Sequence, residues 1–478
     1  MAEHRNMGLL RRPAVLVVGM TAALLAVQAV YMKAVLLHVG SWGQAWALSA
    51  LFALVFGGAM AALACLEHPK AGKLAAVGGF LAAMMLARVA MLDFETADYV
   101  SFLSGWLDVF REGSFATLAE NVGDYNLLYQ YYLLLVAKMP LHDLYLIKWL
   151  SVAFDYVLAL VMMRAARHFA GERAALPVLM LTLALPTVLL DGACWGQCDA
   201  VYVSLIVLSL LLLETDRPCG SAAALAVAFA FKLQTIFFFP VVLLGLIHKK
   251  YRPCHALVFV LAYLVTTIPA LLAGRTLSDA LSVYASQSMG QYYDRLTYNA
   301  PNPYLFFPML VFSNSQEFIW MRYIKGIDSK GTSPYLTEAL MPALQNAALY
   351  ACIVLTLLVV VYWLLHAREI TPDMTLEFAL FFAIFLPFVM PKIHERYFFL
   401  ADMLSVLVAA RRADRRFLPL LVVGASLMSY VPYMMRQRPV DERFLALAML
   451  AALIIVARDL LTQMRAHRAA LAKRGAQA

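Results

Sequence analysis

"FALFFAIFLPFVMPKIHERYFFLADM", residues 378–403, is apolar from Phe378 to Pro391, then carries Lys392, His394, Glu395 and Arg396, then turns apolar again. Four ionisable groups at the end of such a run mark a helix leaving a membrane and the next one entering it. The whole chain has the same character. Of its 478 residues 63% are hydrophobic and 14% charged, with a mean hydropathy of +0.75. A soluble domain carries about a quarter charged residues. The chain is therefore expected to be an all-α, polytopic bundle of transmembrane helices with no large soluble domain. Apolar windows of about 15 to 25 residues recur throughout and suggest about 13 to 14 spans or half-spans. The formal charge of +8 is read as loop arginine and lysine that orient the helices, which argues against a nucleic-acid partner.

Walking outward from the opening stretch with the positive-inside rule places spans near 13–33, 45–66, 74–92, 143–165, 174–191, 199–213 and 255–273. Further spans follow near 339–365, 374–391, 397–411, 417–435 and 443–458. "EHPKAGK", "RAARHFAGER", "RRADRR" and the tail "RAHRAALAKRGAQA" fall inside, with both termini cytoplasmic. The first apolar run has no small-residue cleavage site and reads as a retained span. Residues 221–248 are too short for two full spans and read as half-helices broken around Phe231–Ile236, a break tolerated where it lines a cavity. Loops 93–142 and 274–338 fall outside. The first of them holds two segments, amphipathic or too short to span. Residues 1–73 form two extra amino-terminal helices, 74–411 the core, and 412–478 the last helices and tail. Cys194 and Cys198 read as packing residues or a local disulfide.

In this register the unusual polar clusters share one face. "LDFETADYVSFLSGW" places Asp93, Glu95 and Asp98 where a span leaves the membrane; a carboxylate there can take a proton from an attacking hydroxyl, or can simply be solvated. Arg88, just before them, can neutralise one of them or serve a purely structural role. "GDYN" adds Asp124 and Asn126. In "CWGQCDAVY", Asp199 suits a helix N-cap, while Trp195 and Gln197 suit stacking on a sugar ring and hydrogen-bonding its hydroxyls. Lys232 and Gln234 of "FKLQ" lie among apolar residues. A lysine there costs roughly 2.5–3.5 kcal/mol unless it faces a partner or a wet cavity, which makes it a site candidate over a snorkelling one.

The opening stretch then has a reading. Pro391 suits the first turn of a helix, so Lys392 and Arg396 are expected on one face of its amino-terminal end, with His394 beside them. Such an end favours an anion, read here as a phosphate; headgroup snorkelling is the plain alternative. A basic outer end is unusual under the positive-inside rule and favours the phosphate.

Taken in order, "DYVSFLSGW", "GDYNLLYQYYLLL", "LPTVLLDGACWGQCDAVYVSLIVLSL", "AFAFKLQTIFFFP", "NAPNPY" and "MPKIHERYFFLADMLSVL" resemble the bacterial mannosyltransferase-like proteins related to the GPI-anchor second-mannose transferase, in the GT-C superfamily. "DFE" at 93–95 is also similar to the first luminal loop of the dolichyl-phosphate-glucose-dependent glucosyltransferases, whose "HEK" corresponds to His394, Glu395 and Arg396. The resemblance implies a GT-C-like fold and an inverting transfer of a hexose, mannose-like, from a polyprenyl-phosphate sugar. It implies a glycan, glycolipid or protein acceptor on the outer face of a bacterial inner membrane. Asp98 is then the first candidate base and Asp93 the second. Lys232, His394, Arg396 and Lys392 would receive the phosphate, and Trp195, Gln197, Asp199, Gln234, Glu95, Asp124, Asn126 and Asn302 the sugar or acceptor. "YNLLY" stands where the relatives usually have a proline-containing "YNPPY", and Lys392 where arginine is common. A divalent metal is compatible with the acids at 93–98, but no motif specifies one and no other cofactor is implied. The rival readings are a transporter or flippase, and a polymerase or ligase, for lipid-linked saccharides.

Overall fold

The computed structural model describes residues 13–284, 296–306 and 340–477. It is helical almost throughout; the strands among the described residues are two short segments, β1 (Thr297–Tyr298) and β2 (Ile393–His394). Nine helices among the described residues are long and apolar enough to cross a membrane, and a tenth span is bent. The chain is a multi-pass membrane protein, and the expected polytopic bundle is borne out.

Two compact units divide the chain: Met1–Thr235 with Pro253–Gln287, and Ile236–Arg252 with Ser288–Ala478. In the first, α1 (Pro13–Val35), α2 (Trp42–Glu67) and α3 (Ala71–Val89) lead to the short α4 (Ser104–Glu112) and α5 (Leu127–Ala137), neither long enough to span. Next come α6 (Asp143–Ala170) and α7 (Glu172–Ala184). Leu185 cannot continue α7 because Pro186 follows it, and the span restarts at a bend of 49°. It ends in a π-helical turn, Leu190–Trp195, closed by Gly196 at a φ of +77° that only glycine adopts without strain. After α8 (Asp199–Glu214), α9 (Pro218–Phe231) stops at Lys232, whose backbone is extended. A 3-10 segment, Leu233–Phe238, leads to α10 (Phe239–Ile247), so the expected pair of half-helices is present. The last long helix of the first unit is α11 (Pro253–Leu272), followed by a single short turn of helix, Leu277–Leu281.

The second unit holds α10 and α12 (Leu340–Leu365), α13 (Thr375–Val389), α14 (Phe399–Arg411), α15 (Leu418–Met435) and α16 (Glu442–Gln477). An aromatic cluster of Trp363, Phe378, Phe381, Phe382 and Phe385 packs its interior. The tail expected after residue 458 instead prolongs α16. At 36 residues that helix is about 54 Å long, well beyond a ~30 Å hydrocarbon core. Arg412 and Arg415 both grip Asp459, and Arg468 binds Glu369. The expected loop 274–338 lies mostly outside the described residues.

Lipid tails are as apolar as leucine, so burial against lipid gives helices little reason to choose one partner over another. Buried polar pairs can supply that choice. One occurs in the first unit, where Arg88 of α3 binds Asp155 of α6 with both side chains fully buried. Arg88 is thus not the counter-ion of the acids at 93–98. Asp155 lies on the adjacent helix, and the guanidinium's other N–H groups reach the carbonyls of Met84 and Leu183.

Candidate active site

Asp98 directly precedes the π-helical turn Tyr99–Leu103, at the head of the segment that carries α4. Its Oδ2 accepts hydrogen bonds from Trp195 Nε1 at 2.9 Å and Gln197 Nε2 at 3.0 Å. Gln197 is held in turn by the Tyr125 hydroxyl, which donates to its Oε1 at 2.9 Å. Three stretches distant in sequence, "DY", "GDYN" and "WGQCD", therefore meet. Gly196 is what lets them: its left-handed backbone reverses the chain between the two donors, and the Gln197 N–H returns to the Asp191 carbonyl. Trp195 is nearly fully buried, so the indole is a fixed donor.

Two residues beyond Gln197, Asp199 opens α8. It does not act as the expected N-cap, since it is already helical, Cys198 precedes it, and no side chain caps the end. Its carboxylate binds Lys232 at 2.5 Å, in a pair where the lysine is 6% exposed and the aspartate 0%. The lysine ammonium also lies 5.7 Å from the centre of the Tyr202 ring. Lys232 faces a partner and does not snorkel. It sits where α9 breaks, and in the same 3-10 segment Gln234 and Thr235 are buried with Gln234 Oε1 and Thr235 Oγ1 unbonded. Cys194 and Cys198 are both buried and not joined in a disulfide, so the packing reading stands over the disulfide.

The other acids take different places. Asp93 accepts from the Leu37 N–H at 3.2 Å and from the Tyr145 hydroxyl at 2.5 Å, which ties the start of the loop to α6. Glu95 is half-exposed and lies 3.7 Å from His38. His38 stacks on His142 at 3.9 Å, and burial first, then the second imidazole, hold the His142 pKa below its ordinary value. Tyr99 donates to Asp143 at 2.6 Å, and burial with that bond pushes the phenol pKa up. Asp124 is half-buried. Asn126 caps α5 through its own side chain and donates to the Tyr263 hydroxyl.

In the second unit the stretch that opened the sequence reading is not the first turn of a helix. Lys392 has a φ of +61°, Ile393–His394 form β2 paired in parallel with β1, Glu395–Phe398 make a 3-10 turn, and α14 begins at Phe399. Lys392 and Arg396 therefore do not share a helix face. The strand pairing brings "NAPNPY" to "KIHERY" instead: His394 stacks on Tyr298 at 4.7 Å, and the Lys392 N–H bonds to the Leu296 carbonyl. Partial burial pulls the Lys392 ammonium pKa below its ordinary value. Asn302 is fully buried, accepting from the Tyr304 N–H. Arg396 lies 6.0 Å from the Tyr397 ring centre.

The arrangement in the first unit is a fixed carboxylate with an aromatic and an amide beside it, and, two residues beyond the amide, Asp199 paired with the buried cation Lys232. That set suits proton removal from a hydroxyl and recognition of a sugar. Sequence comparison matches residues 131–391, more than half of the chain, to glycosyltransferase family 87. The chain belongs to that family. It is thus a glycosyltransferase, acting on a sugar donor and an acceptor. No curated protein matches the chain. Among the described residues no group of three or more His, Cys, Asp or Glu side chains could hold a metal ion.

Lys148 and Asp155 were not singled out from sequence, although both are charges well inside an apolar span. That rule alone would have flagged them.

Proposed function

We propose that this family 87 glycosyltransferase moves a hexose, mannose-like, from a polyprenyl-phosphate donor to an acceptor hydroxyl on the outer face of a bacterial inner membrane. Residues 74–411 form its catalytic core. Asp98 is the general base. It takes the proton of the acceptor hydroxyl as that oxygen bonds to the anomeric carbon, and the carbon–oxygen bond to the phosphate breaks with inversion. The leaving phosphate needs a cation more than a separate acid, and Lys232 supplies it. The observation that carries the reading is the convergence of Trp195 and Gln197 on the Asp98 carboxylate, two residues from the Asp199–Lys232 pair. Asp93 stays second, because its oxygens are engaged by Leu37 and Tyr145. Lys392, His394 and Arg396 are the phosphate-binding candidates of the second unit, each to be tested by substitution. The resemblance to the mannosyltransferase-like proteins supports the sugar and the donor, and the positive-inside register supports the outward-facing site.

Purified protein in detergent, given polyprenyl-phosphate mannose and candidate acceptors, should release free polyprenyl phosphate. Asp98→Asn should abolish release and Asp93→Asn should leave most of it. Full turnover by Asp98→Asn would remove Asp98 as the base.

A further inference from the structure

Lys148 is fully buried in α6, and none of its hydrogen-bond partners is a carboxylate. Its ammonium donates to three backbone carbonyls, those of Met91, Leu92 and Phe94, at 3.0, 2.9 and 2.6 Å. These follow the end of α3, where carbonyls lack helical partners. The stem of the same side chain supports a different segment: a Cβ on Gly196 would stand 3.3 Å from Lys148 Cγ. Two helical turns along the same face of α6, Asp155 repeats the pattern. It binds Arg88 in the last turn of α3, and a Cβ on Gly192 would stand 2.8 Å from its carboxylate. Both glycines of the turn that presents Trp195 and Gln197 thus rest on polar side chains of α6, and those side chains grip the end of α3 that leads to Asp98.

We infer that Lys148 is a positioning residue: it sets the distance between the segment carrying Asp98 and the turn carrying Trp195 and Gln197, and so aligns the carboxylate. The inference rests on Asp98 acting as the base, but its geometry can be tested separately. A shift of about 1 Å at a reacting group can cost about 100-fold in rate.

The test uses full-length protein labelled with 5-fluorotryptophan in detergent, the Trp195 fluorine signal being assigned by Trp195→Phe. Asp98→Asn should move that signal, because the indole N–H loses its charged acceptor. Lys148→Met, which keeps the stem and deletes the ammonium, should move it too, and Lys148→Arg should restore it. In turnover, Lys148→Met should lower kcat 10- to 100-fold with KM little changed, and Lys148→Arg should recover most of it. An unmoved Trp195 signal in Lys148→Met, or a kcat left at the wild-type level, would overturn the inference. Should Lys148→Met not accumulate in membranes, Lys148→Gln puts the same question to the signal. If Asp98→Asn turns over normally, the base assignment falls while the fluorine signal still decides the coupling.

Discussion

Replacing Arg88 by methionine deletes the guanidinium but fills most of its volume, and leaves Asp155 buried beside no cation. Both side chains are inaccessible, Arg88 Nε lies 2.8 Å from Asp155 Oδ2, and two further N–H groups bond to the Met84 and Leu183 carbonyls. Breaking one side of such a pair costs about 3–5 kcal/mol. The matched double change, Arg88→Met with Asp155→Leu, removes both charges. Its remaining cost is the Leu183 carbonyl, which lies at the bend of α7 and loses a charged donor, about 1–3 kcal/mol. The double variant should therefore be more stable than either single one, although it carries more substitutions. Reversible unfolding in mixed micelles titrated with a denaturing detergent gives the three free energies. Single costs below about 1 kcal/mol, or a double cost equal to their sum, would show that the pair does not hold α3 to α6.

Gly192→Ala should destabilise by about 1–3 kcal/mol, because its methyl would stand 2.8 Å from the Asp155 carboxylate, and the same unfolding titration reads it. Lys232→Met and Asp199→Asn should each lower stability, and their double less than the sum; turnover should not recover in the double, since the cation is gone. His142 has a folded-state pKa below its unfolded one, so its contribution to stability is complete above about pH 6.5 and is lost as the pH falls below it. The groups around it are His38, Asp93, Glu95, Asp143 and Tyr145. In His142→Phe, which keeps the stack, unfolding measured from pH 7.5 down to about pH 5 should show a shallower loss; an unchanged slope would assign the titration elsewhere.

The long apolar windows, the break after Phe231 and the short helices of the first loop are legible along the chain, because hydropathy and length are local properties. So were most of the site's parts: Asp98, Trp195, Gln197 and Lys232 are each conspicuous as polar or aromatic groups at the edge or middle of apolar runs. Their partners were not. Asp98 meets Gln197 from 99 positions away, and Arg88 passes over the neighbouring acids to reach Asp155, 67 positions on.

By itself the sequence determined that this is a many-helix membrane protein with charged groups gathered at a few margins, since lipid admits no other packing of such a chain. Only the tertiary structure decided which carboxylate faces the tryptophan and glutamine, that Asp199 is a counter-ion and no cap, and that Lys392–Arg396 holds a short strand at Ile393–His394 in place of the expected first helical turn. Hydrogen-bond geometry depends on how separate helices sit side by side, and the spacing of residues along one of them does not contain it.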